Sequence, residues 1–133
     1  PEPVDMGLSV KWASCDYGNV YTYVAGTNIE YTCYNTKSFN TNWGPNWSIP
    51  TQSQWNELFN NCTITNTTIN GKYGYLVTAI NGNTIFFCCD TYWTATPYYN
   101  TYQNKYYLYY ASLLKKSTTS SSLGINPLRL VFQ

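Results

Sequence analysis

Histidine is absent from this chain of 133 residues. Its absence removes the commonest general base and the commonest metal ligand, and with them the Ser-His and Cys-His nucleophile systems. Six carboxylates remain, at Glu2, Asp5, Asp16, Glu30, Glu57 and Asp90. They are scattered along the chain, without the paired-acid spacing on which a glycosidase depends. The composition therefore predicts that the protein is not an enzyme and that it uses no cofactor.

Charge is scarce as well, since charged residues make up 10% of the sequence and the formal net charge is +1. Duplex nucleic-acid binding needs clustered Lys and Arg side chains that neutralise phosphates, whereas only Lys115 and Lys116 are adjacent here. No segment reaches the roughly 18 consecutive apolar residues of a membrane-spanning helix. We therefore expect neither nucleic-acid binding nor membrane insertion. The abundance of Asn, Thr, Ser and Tyr instead suggests an extracellular or surface-displayed protein.

The five cysteines show no CxxC spacing, since they stand at Cys15, Cys33, Cys62, Cys88 and Cys89. A zinc ribbon or a thioredoxin motif is therefore not indicated, and no metal site is predicted. Small buried side chains, one or two disulfides and a reactive thiol remain open as interpretations. Cys88 and Cys89 are adjacent, and two neighbouring residues on a strand point to opposite faces of the sheet.

The clearest local signal predicts a short amphipathic helix at about residues 52–60. Thr51 and Gln54 have the Thr-x-x-Gln spacing of a capping box, in which each side chain satisfies a backbone N–H at the start of the helix. Trp55, Leu58 and Phe59 follow at i, i+3 and i+4. They form one apolar stripe, which gives the helix a single face for the core.

The other segments are predicted to be mainly short strands. The strongest hairpin signal is Asn81-Gly82, which predicts a type I′ turn between strands at residues 73–80 and 83–87. Asn70-Gly71 predicts another tight turn. Further strands are expected at residues 4–13 (with a bulge at Gly7), within 17–34, and at 91–96, 105–111 and 123–132, with loops at 35–45 and 117–122. One helix among many short strands predicts an α+β fold class, with residues 1–133 forming a single domain.

Tyrosine is concentrated in the last third of the chain, where seven tyrosines fall within the thirteen residues that end at Tyr110. Tyr combines a large, rigid ring with one hydroxyl, and recognition surfaces are rich in Tyr, Ser and Asn. In a strand, side chains alternate between faces. If Leu108 faces the core, Tyr106 and Tyr110 do so too, and Tyr107 and Tyr109 then point outward.

These residues predict a surface for non-covalent recognition of a protein or glycan ligand on another cell or host surface. Tyr rings would bury apolar ligand surface, while hydroxyl and amide groups would select the orientation of the ligand. Trp93 is predicted to be a scaffold residue beneath this surface. The alternative is a structural or assembly domain of a larger surface protein, whose Tyr-rich strand packs on a neighbouring domain. The candidate ligand-binding residues are Tyr98, Tyr99, Asn100, Tyr102, Asn104, Tyr107, Tyr109, Ser117, Thr118, Thr119 and Ser120.

Five collinear segments resemble one large group of surface proteins from Bacteroidetes and Fibrobacter. The segments are VDMGL with KWA, WSIPTQSQWNEL, NGNTIFF, YWTATP and LRLV. The matching patterns of the group are VDLGL with kWA, WRLPTxxEWxEL, NGNSIFL, YWSSTP and VRxV. This resemblance implies a C-type-lectin-like fold. It also implies display on a cell surface or a phage virion, as in an adhesin, a pilus tip or a phage receptor-binding protein.

Some members of this group are variable proteins of diversity-generating retroelements, in which adenine-directed mutagenesis rewrites codons near the C-terminus. Residues 98–110 and the Ser/Thr segment beyond them look like such a rewritten region, and the resemblance implies that they face the ligand. The Glu-Pro-Asn and Trp-Asn-Asp triplets of calcium-dependent lectins are absent. A calcium-bridged sugar site is therefore not expected.

Overall fold

The computed structural model describes residues 1–17, 42–102, 104–120 and 126–133. Within these ranges the chain forms three antiparallel sheets and one helix, and strand makes up 49% against 10% for helix. The predicted fold class, α+β with a C-type-lectin-like fold, is therefore wrong, because segments expected to be loops pair as strands in a β-rich fold. The elements are β1 Pro3–Val4, β2 Lys11–Ala13, β3 Trp47–Ser48, α1 Gln52–Asn61, β4 Thr63–Ile69, β5 Lys72–Thr78, β6 Thr84–Phe87, β7 Thr91–Asn100, β8 Lys105–Ser112, β9 Ser117–Ser120 and β10 Val131–Phe132.

Some predicted segments fall outside the described residues. They are the strands expected within residues 17–34, most of the loop at 35–45 and the first part of the strand at 123–132. In the described part of that last segment, Leu128 makes an isolated antiparallel bridge with Tyr17. Within this segment, only the two residues of β10 form a strand.

The first sheet has the order β1-β2-β10-β3. The single strand predicted at residues 4–13 is instead a hairpin, in which Val4 pairs with Trp12. Gly7 lies between the two strands with φ of +71°, and its N–H donates to Asp5 Oδ1 at 2.9 Å. The expected bulge is therefore part of a chain reversal, because a left-handed glycine beside an aspartate acceptor favours a turn.

Helix α1 confirms the capping box predicted from the sequence. The Gln54 N–H donates to Thr51 Oγ1 at 3.1 Å, and the Thr51 N–H donates to Gln54 Oε1 at 2.9 Å. Trp55, Leu58 and Phe59 are buried, so the apolar stripe faces the core as expected. Among the described residues, no helix is both long and apolar enough to cross a membrane.

The second sheet, β4-β5-β6, contains both Asn-Gly turns. Asn70 and Gly71 have φ of +52° and +77° between the paired residues Ile69 and Lys72, which is the type I′ geometry. At the second turn only Gly82 is left-handed, with φ of +89°, and its N–H donates to the Ala79 carbonyl. The type I′ prediction for Asn81-Gly82 is therefore wrong, because the loop combines a type I turn with a left-handed glycine.

The third sheet, β7-β8-β9, departs most from the sequence-based expectation. Strand β7 does not stop before Pro97 but continues to Asn100, with a shift of register between Trp93 and Pro97. Proline is tolerated there because β7 is at the edge of this sheet. The loop predicted at residues 117–122 is also wrong in its described part, because Ser117–Ser120 pairs with β8.

Two hydrophobic clusters lie on opposite sides of strands β2, β7, β8 and β10. Consecutive residues of β2 divide between them, with Trp12 in the first and Ala13 in the second. The first cluster includes helix α1, whose Trp55 ring lies 4.7 Å from the Trp12 ring, centroid to centroid. In β8, Ala111 belongs to the first cluster and Leu108 to the second. These strands are therefore buried on both faces through the middle of the protein.

A buried arginine connects the first two sheets. Arg129 is 2% exposed, and its Nε donates to Asp16 Oδ1 at 2.8 Å. Its Nη1 and Nη2 donate to the carbonyls of Ala13 and Phe86 at 3.1 Å and 2.7 Å. Its Cζ lies 4.2 Å from the centroid of the Phe87 ring. One guanidinium thus joins the end of β2 to the end of β6 through a fork of donors that lysine does not have.

Candidate ligand-binding site on the distal β7–β8 hairpin

The inner half of β7 is fixed to the start of helix α1. The Ala95 N–H donates to the Pro50 carbonyl at 2.7 Å, and Thr96 Oγ1 accepts from the Gln52 N–H at 2.8 Å. The Thr96 N–H in turn donates to Thr94 Oγ1 at 3.1 Å. These bonds lie at the register shift of β7. The part of the hairpin beyond the shift, residues 97–108, extends outward. We call this part the distal hairpin.

The tip of the distal hairpin is a turn between the paired residues Asn100 and Lys105. The Tyr102 N–H donates to Asn100 Oδ1 at 3.0 Å, which is the side-chain geometry of an Asx turn. Asn104 has φ of +52°, a conformation that asparagine tolerates. The Tyr99 hydroxyl donates to Asn104 Oδ1 at 3.3 Å. The turn therefore holds the Tyr102 ring in solvent, where it is 97% exposed.

One face of the distal hairpin carries a cluster of three tyrosine rings. Tyr98 is paired with Tyr107, and their ring centroids are 6.0 Å apart. The Tyr98 and Tyr109 centroids are 5.1 Å apart. All three side chains are half-buried. Tyr107 and Tyr109 thus lie on the face away from Leu108, as predicted, and each packs against the ring of Tyr98.

The other face of the distal hairpin is the face of Leu108, which is 1% exposed. Tyr99 is paired with Tyr106 in the register, which places it on this face. It lies beyond the buried region and is 48% exposed. The surface predicted as one patch is therefore divided by the sheet, because residues 98–100 continue β7 and alternate between its faces.

Tyr110 and Trp93 are two aromatic residues that the sequence predicts to support this surface from the core side. Tyr110 is half-buried and packs against the second cluster together with Leu108, as expected. Trp93 is 2% exposed and belongs to the same cluster, which agrees with a scaffold role beneath the site. The side chain of Tyr106 lies outside the part of the structure that is described.

The four candidate residues of β9 differ in what they can contribute. Thr118 Oγ1 accepts a hydrogen bond from Gln52 Nε2 at 2.8 Å, so this side chain is used by the scaffold. Ser120 is exposed and lies opposite Tyr109, which adds it to the face of the tyrosine cluster. Ser117 and Thr119 are half-buried and lie on the face of Leu108.

A second group of polar side chains lies at the end of β6, where sequence reasoning placed no site. Cys88 and Cys89 follow β6 on a bend rather than on a strand, and their Sγ atoms are 4.0 Å apart. Cys88 and Cys89 therefore do not point to opposite faces of a strand. The Cys88 thiol donates to Asp16 Oδ2 at 3.5 Å, and the Tyr92 hydroxyl donates to the same oxygen at 3.2 Å. Spacing alone could not reveal this group, because Asp16 is more than seventy residues away in the chain.

The Cys89 thiol is not an activated nucleophile. Burial, followed by the neighbouring Cys88 and Asp16, raises the pKa of Cys89 to about 12. Burial, followed by the charge of Asp16, also raises the pKa of Tyr92 above its usual range. Cys89 is thus a protonated thiol at neutral pH, whereas a reactive cysteine needs a lowered pKa. The four described cysteines, Cys15, Cys62, Cys88 and Cys89, are unpaired thiols.

Comparison of the chain with models of known protein families, with curated proteins and with solved structures gives no match.

Proposed function

We propose that the protein is a non-enzymatic recognition module, displayed on a cell surface or a phage virion, that binds a protein or glycan ligand through the distal hairpin. The observation that carries this proposal is the exposure of large aromatic rings where the sheet extends beyond the core. Tyr102 is 97% exposed and Tyr99 is 48% exposed. Large exposed apolar surface marks an interaction site more often than an unused surface.

The tyrosine cluster supports the same proposal through its order. Tyr98, Tyr107 and Tyr109 hold one another by ring contacts, so little rotamer freedom is left to lose when a ligand binds. In Tyr-rich recognition surfaces the rings bury apolar ligand surface and the hydroxyls orient the ligand. Ser120 widens this face with a small exposed hydroxyl.

The separation of the hairpin from the scaffold supports diversification by a retroelement as part of the proposal. The bonds that fix β7 to helix α1 use Ala95 and Thr96, which precede the candidate residues. Substitutions from Tyr98 to Asn104 therefore leave these bonds in place. The coding DNA tests this part of the proposal. A near-repeat of the C-terminal coding region, differing only at adenines and lying beside a reverse transcriptase gene, is the expected finding.

The recognition proposal is tested by probing the purified chain against a glycan array and an array of cell-surface ectodomains. The test variant is the double substitution Tyr99→Ser and Tyr102→Ser. The control is Tyr73→Ser, because Tyr73 is 65% exposed but lies in β5. Loss of exposed aromatic anchors is expected to weaken binding at least about tenfold, and the control should bind as the unmodified chain does.

Equal binding by the test variant and the unmodified chain would refute the distal hairpin as the site. The alternative, an assembly domain, makes a different prediction for a longer chain that contains this one. In that case no array probe binds, and the amides of the distal hairpin become protected from hydrogen exchange only when the neighbouring domain is present.

A further inference from the structure

The group formed by Asp16, Cys88 and Cys89 has the composition of a metal site. One carboxylate oxygen and the two sulfur atoms all lie within 4.8 Å of one another. Among the described residues, Asp16, Cys88 and Cys89 are the potential metal ligands that the fold brings together, although they come from separate parts of the chain. Asp16 follows β2, whereas Cys88 and Cys89 follow β6.

We propose that Asp16, Cys88 and Cys89 bind a thiophilic divalent metal ion such as Zn²⁺. A tetrahedral ion with Zn–S bonds of about 2.3 Å separates two thiolate sulfurs by about 3.8 Å. The observed separation of the Cys88 and Cys89 sulfurs is 4.0 Å. With a Zn–O bond of about 2.1 Å, the same geometry places a carboxylate oxygen about 3.6 Å from each sulfur. Asp16 Oδ2 lies 3.5 Å from Cys88 Sγ.

Arg129 orients the carboxylate for this role. Its Nε donates to Asp16 Oδ1 at 2.8 Å, which directs Oδ2 toward the Cys88 sulfur. Metal-binding carboxylates are commonly held by such an outer hydrogen bond. The Arg129 side chain is 2% exposed and is itself fixed by the Ala13 and Phe86 carbonyls. The position of the oxygen is therefore set before an ion arrives.

The charges also balance when an ion is bound. Asp16 pairs with Arg129. When both cysteines bind as thiolates, their protons pass to solvent and one divalent cation takes their place. The charges of Asp16, two thiolates, Arg129 and the cation then sum to zero. A cluster with no net charge avoids the cost of leaving an uncompensated charge at a partly buried site.

The ligand set favours Zn²⁺ over other biological ions. Ca²⁺ and Mg²⁺ prefer oxygen ligands throughout, whereas Cu⁺ prefers sulfur alone. Two thiolates and one carboxylate suit a borderline-soft ion. Three protein ligands leave the fourth tetrahedral position for water or a further ligand. Cys88 is exposed, which provides a path from solvent to the site.

The bound ion would act as a cross-link between the first two sheets, because it joins the end of β2 to the end of β6. The experiment uses the full chain, reduced with a phosphine and freed of metal. Binding of Zn²⁺ is measured by calorimetry, and binding of Co²⁺ by its thiolate-to-metal charge-transfer absorption. We expect one ion per chain and a rise in the melting temperature on addition of Zn²⁺, since an ion that binds only the folded state stabilises it.

The variants Cys88→Ser and Cys89→Ser should each lower the affinity for Zn²⁺ more than about 100-fold, because loss of an outer partner alone costs about 10–100-fold. Asp16→Asn should lower it at least about tenfold for the same reason. Cys15→Ser is the matched control, since Cys15 is an exposed thiol next to Asp16 in sequence, and it should bind Zn²⁺ as the unmodified chain does.

Three results would overturn the proposal. One is the absence of the charge-transfer band in the reduced chain. Another is an affinity for Zn²⁺ that Cys88→Ser leaves unchanged, and Cys88 is the informative position if Asp16→Asn does not fold, because its side chain is exposed. The third is a disulfide between Cys88 and Cys89 that the phosphine does not open, which would assign the pair a structural role as a disulfide instead.

Discussion

The Thr96 hydroxyl accepts a hydrogen bond from the backbone N–H of Gln52 at 2.8 Å. The bond joins the irregular part of β7 to the first residue of helix α1. The first N–H groups of a helix have no partner within the helix, and β7 supplies one by leaving the regular ladder of its sheet. The register shift between Trp93 and Pro97 is therefore the feature that fixes β7 to the start of the helix.

Replacing Thr96 by Val tests this joint. The substitution keeps the shape of the side chain but leaves the Gln52 N–H without its acceptor, so the free energy of unfolding should fall by about 1–3 kcal/mol. Urea denaturation measures the change. Thr65→Val is the control, because Thr65 lies exposed on β4, and it should alter stability by less than about 0.5 kcal/mol. Equal effects of the two variants would mean that the joint contributes nothing to stability.

Replacing Thr51 by Ala tests the capping box. It removes the acceptor of the Gln54 N–H, and loss of an N-cap side chain typically costs about 1 kcal/mol. The measurement is the midpoint of urea unfolding at constant slope. Ser53→Ala changes an exposed residue in the first turn and should leave stability unchanged or slightly increased, since Ala is the better helix former. A fall in stability for Ser53→Ala would show that helix propensity does not govern this turn.

The tyrosines of the distal hairpin should differ in their effect on stability. Tyr109 packs against the Tyr98 ring, so Tyr109→Ser should lower the free energy of unfolding by about 1–2 kcal/mol. Tyr102 is 97% exposed, and Tyr102→Ser should change it by less than about 0.5 kcal/mol. Both values come from the same denaturant titration. A fall as large for Tyr102 as for Tyr109 would contradict the exposed turn.

Replacing Arg129 by Ala should be the most damaging of these substitutions. It leaves Asp16 without its ion-pair partner and removes the bonds that Arg129 donates to two carbonyls, and breaking a buried pair costs about 3–5 kcal/mol. Arg129→Lys should recover only part of this, because an ammonium group cannot make the same fork of bonds.

Lys11→Ala is the control for Arg129, because Lys11 is an exposed cation on β2. Its free energy of unfolding should stay within about 0.5 kcal/mol of the unmodified chain. The measurement is calorimetric or denaturant unfolding of all three variants in metal-free buffer. Full recovery of stability by Arg129→Lys would show that charge matters here and that the fork geometry does not.

Local signals explain which parts of the fold were predicted. The helix was found because Thr51, Gln54 and the Trp55 stripe lie within a few residues of one another. Strand β9 was missed because a run of Ser and Thr has no apolar alternation and becomes a strand only by pairing with β8. The sequence predicts the end of strand β7 too early, because proline usually interrupts a strand at a position such as Pro97. Proline is tolerated in β7 because β7 is an edge strand.

In the candidate sites, too, the sequence predicts what depends on neighbouring residues and misses what depends on contacts between distant segments. The concentration of tyrosine is visible in the sequence, but its distribution over two faces depends on β7 continuing to Asn100. The pairing of Cys88 with Asp16 depends on a bend after Phe87 and on a contact between distant segments. Neither a bend after a strand nor a distant contact leaves a periodic signal in one sequence.

The outer edge of β7 restricts how a ligand can approach. The Trp93 and Ala95 N–H groups already donate to the carbonyls of Pro127 and Pro50, and Pro97 has no N–H to offer. A peptide therefore cannot extend the sheet by adding a strand along this stretch, a mode of binding that reads main-chain atoms and tolerates many sequences. If the distal hairpin binds a ligand as proposed, this stretch of β7 leaves the contacts to side chains, which single mutations can exchange one at a time.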